Sequence, residues 1–522
     1  MRNKIKKNRW ISWILTLAML CSLLQTSAVP AFAAGAAGGG VDISRAQDLD
    51  NPATEITSGG IYTIGATRGL ALKVNTTAPV TLVLEGVTIA TATSPIELAA
   101  GAQVTLVVKD GTTNVLTCTA TDLTAGNSGK TAGILVPETA SLTIDRASGE
   151  DGTGILRVTG GFGSAGIGGS GVYGQYTDTA HQQPTGGVGY YARNTYNQTV
   201  PGGAGGFDGL DAAPAGTIII NSGMIHATGG KGGAGIGGGM GAQGGDGSQG
   251  TYGVSHAVSS NHTGFGSGSG AGGAGGNGGK GGKGGNVTIN GGTITATATQ
   301  YTYAWADKVD STAQSVDRTA AGIGGGAGGL GGAGGLWTAG NPGNGAWDRH
   351  GGAGGNGAPG YTNYGGDGGS LTINGGNVKA VGSNGVGTQA LAIGQYGSYY
   401  PYNYNYNTGH SGGNGGVGGT GGKSNQPTNP SADTTVVINS SDNNIDFVDY
   451  DGATSFAGRP TDKNNTALYK VVLTVKNVLN GAMVPNAKVE INVNWGNPAM
   501  QYTYGSVSRA DGTAILWLPK GE

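Results

Sequence analysis

Four copies of one three-part pattern constrain this chain more than any other feature. The first block is Leu142-Thr143-Ile144-Asp145, Ile218-Ile219-Ile220-Asn221, Val287-Thr288-Ile289-Asn290 and Leu371-Thr372-Ile373-Asn374. A Gly or Ser turn follows. The second block is Leu156-Arg157-Val158, Ile225-His226-Ala227, Ile294-Thr295-Ala296 and Val378-Lys379-Ala380. The third ends in Ala-Gly-Ile-Gly at 165–168, 234–237 and 321–324, and in Leu-Ala-Ile-Gly at 391–394. Alternation within each block puts one set of side chains inside and the other outside. A single unit cannot bury its own apolar face, but stacked units can. The pattern predicts an all-β parallel β-helix, one coil of three strands per unit. Ile144, Ile220, Ile289 and Ile373 should form one interior column, and Asp145, Asn221, Asn290 and Asn374 a polar ladder at a turn.

Shorter blocks between Ile56 and Thr117 read as earlier coils, and Thr435–Asn439 with Ile445–Val448 as the last. After each third strand the chain leaves the solenoid, over about 170–215, 240–285, 327–369 and 395–430. Loops this long normally argue against an assignment. Here they carry a period of their own. Gly272 to Gly285 reads Gly-Gly-X without a break, with Ala274, Asn277, Lys280 and Lys283 at X, and Gly412 to Gly422 does the same. Period three is the repeat of a polyproline-II-type helix. Two glycines in three leave bare backbone that neighbouring helices can approach. The insertions should therefore be out-and-back, polyglycine-II-like arms that leave one corner of the solenoid and pack as a bundle. The competing expectation is disorder, since glycine loses most entropy on folding.

Two sets of residues are candidates for binding. The insertion tips are rich in aromatic and amide side chains: Tyr190 and Tyr191; Tyr301, Tyr303 and Trp305; and Tyr399, Tyr400, Tyr402, Tyr404 and Tyr406. Aromatic faces beside amides suit sugar rings or protein partners, and they also suit local packing of the loops. The second set is Arg157, His226, Thr295 and Lys379, which hold the same outward position in four coils. Stacking would bring them to about 4.8 Å spacing, a stripe fit for a polyanion or simply a solvated strand face.

The opening coils, Gly59-Gly60-Ile61-Tyr62-Thr63-Ile64, then Val80 to Ile89, then Asp110 to Thr117, resemble the secreted carbohydrate-binding β-helix proteins of clostridia and related Firmicutes. The Ala-Gly-Ile-Gly units resemble that family's glycine-rich surface-protein relatives. The resemblance covers roughly 55–440 outside the insertions. It implies a right-handed β-helix, an acidic plant-type polysaccharide as partner, and calcium held by acidic residues near the third strand. Those positions here are Ala and Gly, as at Ala321-Gly322, so these residues do not support calcium, and no cofactor is expected. The arms also resemble the polyglycine-II bundles of an insect antifreeze protein and of phage tail-tip adhesins. From Leu468 the composition changes. Val471 to Val475, Val484 to Ile491 and Asp511 to Gly521 resemble a collagen-adhesin B-type or Ig-like β-sandwich, expected to be incomplete at Glu522.

The remaining features bound the compartment and chemistry. Residues 1–33 follow signal-peptide grammar: Arg2, Lys4, Lys6, Lys7 and Arg9, an apolar run from Ile11 to Leu24, then Ala31-Phe32-Ala33. The expected location is secreted, extracellular or wall-associated, with no transmembrane segment after cleavage. Segments 34–54 and 451–467 read as linkers, and 468–522 as the partial sandwich. Net charge is −2, which gives no sign of nucleic-acid binding. Cleavage would leave only Cys118, expected to be buried. The histidines lack metal-ligand spacing, and no nucleophile elbow or phosphate loop appears. The expectation is a non-catalytic, adhesive protein that binds a polysaccharide or a host or cell-surface glycan. A structural stalk displaying further domains is the alternative, and a polysaccharide lyase or glycosidase is third.

Overall fold

The computed structural model describes residues 40–49, 54–182, 189–193, 196–200, 204–248, 273, 276–306, 313–330, 366, 368–382, 393–394, 435–439, 445–447, 460–462, 464–494 and 501–519. The chain is all-β, and its body is a stack of coils paired in parallel. Each coil runs through a first, a second and a third face. First-face strands from Gln47–Asp48 to Thr435–Ile438 and second-face strands ending at Ile445–Phe447 form one continuous sheet. Third-face strands from Glu55–Ile56 to Ile393–Gly394 form another. In the third coil the first two faces share a single strand, Val80–Thr91, whose halves pair separately with Gln103–Val108 and Thr113–Cys118.

The register is the one the repeat predicts. Leu82, Leu106, Ile144, Ile220, Ile289, Ile373 and Ile438 stack in one column, and all are buried. Fully burying each such side chain contributes roughly 1.5–3 kcal/mol, and the stack supplies the walls that a lone coil lacks. On the outside of the same strand ends runs the polar ladder. The Nδ2 group of Asn221 donates to Asp145 Oδ2 at 2.8 Å, Asn290 to Asn221 Oδ1 at 2.8 Å, Asn374 to Asn290 Oδ1 at 2.7 Å and Asn439 to Asn374 Oδ1 at 2.7 Å. All the amides point the same way. Asp145 fits the first rung because that rung only accepts: it also takes Ser222 Oγ at 3.1 Å and the Arg146 N–H at 2.8 Å.

The Ala-Gly-Ile-Gly motif has a steric cause. Its first glycine presses on the second strand of the next coil: a Cβ on Gly235 would lie 2.5 Å from the Thr297 nitrogen. Its last glycine has positive φ, +132° at Gly168 and +135° at Gly237, and a Cβ there would sit 2.2 and 1.9 Å from the carbonyl oxygen of the coil above. Only glycine fits both.

The glycine arms are a hydrogen-bonded bundle. Gly276, Gly279 and Gly282 donate to the carbonyls of Gly245, Ala242 and Gly239 at 2.6, 2.8 and 2.7 Å, so the two arms of one insertion run antiparallel. Gly209, Ala212 and Ala215 donate to Asn277, Lys280 and Lys283 at 2.8, 2.9 and 2.9 Å, so two returning arms run parallel. Gly238, Gly241 and Gly244 donate to Gly324, Ala327 and Leu330 at 2.8, 3.0 and 2.8 Å, which joins two outgoing arms. Every step is three residues, as the Gly-Gly-X period predicts. The flanking glycines are buried, and the X residues Lys280 and Lys283 are exposed. At the edge, Asp208 and Asp211 supply acceptors from their side chains, taking the N–H of Asn277 at 2.7 Å and of Lys280 at 2.6 Å. The fourth insertion, 395–430, lies outside the described residues.

The described parts of two segments expected as linkers pair with the solenoid. Gln47–Asp48 pairs with Tyr62–Thr63 as the first strand. Ahead of it, Val41, Ile43 and Ala46 lie across the outer side of the first face and cover Val83, Val107 and Ala147. The outward column is apolar under this strap and becomes Asp145 and asparagine beyond it. Near the other end, Thr461 pairs with Val437. The C-terminal unit consists of two antiparallel pairs, Leu468–Thr474 with Thr513–Pro519 and Lys488–Asn494 with Gln501–Val507. Cys118 is a buried free thiol, and burial pushes its pKa up.

Two predictions follow from this packing. Gly279→Ala would place a Cβ 2.0 Å from the Leu210 oxygen and should destabilise by about 2 kcal/mol or more, whereas Lys280→Ala should change stability by less than about 0.5 kcal/mol. Asn290→Ala breaks two rungs of the ladder and should cost about 1–3 kcal/mol, while Asp145→Asn keeps an acceptor and should cost less. Chemical denaturation of the four variants checks both.

Candidate binding surface

The second face carries the basic column expected from the repeat. Arg157 pairs with His226, His226 with Thr295, Thr295 with Lys379 and Lys379 with Asp446. Arg157 and Lys379 are exposed, and His226 and Thr295 are half-buried. Their inward neighbours Leu156, Val158, Ile225, Ala227, Ile294, Ala296, Val378 and Ala380 lie in the core, which fixes each outward side chain in line. Burial and the charge of Arg157 lower the pKa of His226, so this imidazole is neutral at pH 7. Neither Arg157 nor Lys379 makes an ion pair with another described residue. The carboxylate that ends the column, Asp446, is held by Lys470 and Arg509 at 3.0 and 2.8 Å. From Arg157 to Lys379 the column therefore presents positive and hydroxyl groups with no free acid.

A second hydroxyl column flanks it. Thr117, Thr159, Thr228 and Thr297 are stacked through the same strand pairs. Reading the repeat one strand at a time does not reveal this column, because the blocks singled out stop short of it. Extending the aligned blocks by one residue would have shown it.

The aromatic candidates divide. Tyr190 and Tyr191 lie on an antiparallel hairpin, Gly189–Arg193 with Tyr196–Val200, inside the first insertion. Tyr301, Tyr303 and Trp305 lie not on a glycine arm but on a separate hairpin between the second and third faces, Tyr301–Ala306 with Ala313–Arg318. Tyr301 is a packing residue. Its ring meets Phe162 edge-on at 4.7 Å, and the Arg318 guanidinium lies 5.7 Å from its centroid. Tyr399, Tyr400, Tyr402, Tyr404 and Tyr406 lie outside the described residues.

Among the described residues, no group of three or more His, Cys, Asp or Glu is placed to hold a metal ion, and no helix is long and apolar enough to cross a membrane. His181 pairs with Asp178 at 2.8 Å and stacks on Tyr176. Asp178 also caps the one-turn 3₁₀ helix Thr179–His181, which makes this pair a local loop fastener. No family model, curated protein or solved structure matches the chain.

Proposed function

We propose that this is a secreted or cell-surface protein that binds an acidic glycan without transforming it. The observation that carries this reading is the unbroken register of Arg157, His226, Thr295 and Lys379 on an open strand face. Coil stacking spaces successive residues about 4.8 Å apart. The cations Arg157 and Lys379 therefore stand on one line, about 14 Å apart, with His226 and Thr295 between them, an arrangement that suits carboxylates repeating along a polyuronate. Arg157 offers a fork for carboxylate, and Lys379 a point charge. The threonine column beside them supplies hydroxyl donors and acceptors for sugar hydroxyls. The aromatic residues of the insertions, including the Tyr399 to Tyr406 run, are the second candidate contact surface.

A stalk that displays other domains is the second reading. It is supported by the ion-paired joint between the last coil and the C-terminal unit, which suits a connection that transmits force.

A glycan array carrying polygalacturonate and cellulose, with and without calcium, separates the readings. The full chain should bind polygalacturonate in a salt-sensitive way, and Arg157→Ala with Lys379→Ala should weaken binding tenfold or more. Loss on Tyr402→Ala with Tyr404→Ala instead would move the contact to the tips. No binding to any glycan would favour the stalk. Binding should also strengthen as pH falls from 7, because His226 then gains charge beside Arg157 and an anionic ligand favours that protonation.

A further inference from the structure

The last coil ends in strands whose outer edges should be free to pair with another strand. Such an edge is a template for adding a coil, from this chain or from a second copy. In this structure hydrogen-bonding groups of that edge are taken on two of the three faces. On the first face, Thr461 donates its N–H to Val436 O at 3.0 Å and accepts from the Ile438 N–H at 2.8 Å, as a next strand would. On the second face the partners are side chains. Trp517 Nε1 donates to Ile445 O at 3.1 Å, and Lys470 Nζ donates to Phe447 O at 3.0 Å. These two carbonyls lie two residues apart on one strand, so two side chains supply donors where a further coil would supply backbone N–H groups.

The apolar end of the core is covered by the same residues. Phe447 is fully buried, and its ring centroid lies 5.0 Å from that of Trp517. Leu468 and Ile515 also join the solenoid core. Asp446 then fastens the joint through Lys470 and Arg509. Burial pushes the Asp446 carboxyl up, but the two cations outweigh it and hold its pKa below the usual value. The fastening residues Lys470, Arg509 and Trp517 come from three separate stretches of the C-terminal unit, so the cover depends on that unit being folded.

We propose that the C-terminal unit is the terminating cap of the solenoid, and that removing its grip opens an edge to which a second copy of this chain adds end-on. This assignment does not rest on the glycan reading. It gives the unit a role that its likeness to an adhesin sandwich does not imply.

The test uses the full chain with Trp517→Ala and Lys470→Met combined. A control carries Val478→Ser with Leu479→Ser, which alters two side chains of the same unit that are 79% and 91% exposed. Mass by light scattering is read across a hundredfold concentration range, with hydrogen exchange on the same samples. The cap variant should form concentration-dependent assemblies of at least twice the chain mass. The amides of Ile220 and Ile289 should stay protected, while wild type and control keep their mass. An unchanged mass in the cap variant would overturn the proposal. So would loss of protection throughout the solenoid on Lys470→Met alone, because a cap acts on the terminal coil and not on the whole stack.

Discussion

Parallel pairing from coil to coil sets each residue above its counterpart in the next unit. The core column, the polar ladder and the glycine arms are consequences of that constraint. Register turns a repeated isoleucine into a continuous core column and a repeated asparagine into a chain of aligned amides. It also brings backbone to backbone at the third face, so the Ala-Gly-Ile-Gly corner tolerates no side chain beyond its alanine and isoleucine. The glycine arms start from that corner. Because the coils are in register, arms three residues out of one coil meet arms three residues out of the next, and their N–H groups find carbonyls at each step. The arms are thus an extension of the solenoid's register into chain that has almost no side chains to bury.

Glycine is the least favourable residue to order, so the bundle has to recover that entropy elsewhere. Each inter-arm hydrogen bond contributes only about 1 kcal/mol net. What makes these bonds effective is their density and burial: a bare backbone lets neighbouring arms approach until a Cβ on Gly329 would lie 1.7 Å from the Ala242 oxygen. Where an arm has a neighbour that is not glycine-rich, side chains finish the lattice, as Asp208 and Asp211 do.

Much of this was legible in the sequence, because period two marks strands and period three marks the arms. The core column, the asparagine ladder and the basic column follow from aligning the four units. The N-terminal strap and the contacts of Thr461 were not legible. Both are single, non-repeating segments, and a lone Val41 or Thr461 carries no period. The role of Tyr301 was equally hidden, since an aromatic residue that packs on Phe162 and one that meets a ligand look alike in a sequence. The candidate site lies between these cases: its register could be read, whereas the engagement of Asp446 by Lys470 and Arg509 depends on contacts across 24 and 63 residues of chain.

The most direct test of the account is residue-resolved amide hydrogen exchange in the glycine arms of the intact chain. If register extends into the bundle, the amides of Gly279, Gly282, Gly326 and Gly329 should exchange orders of magnitude more slowly than an unstructured chain, approaching the protection of Ile289 in the coil. Exchange of those four amides at the unstructured rate, with Ile289 still protected, would show a solenoid bearing loose glycine loops and would contradict the bundle.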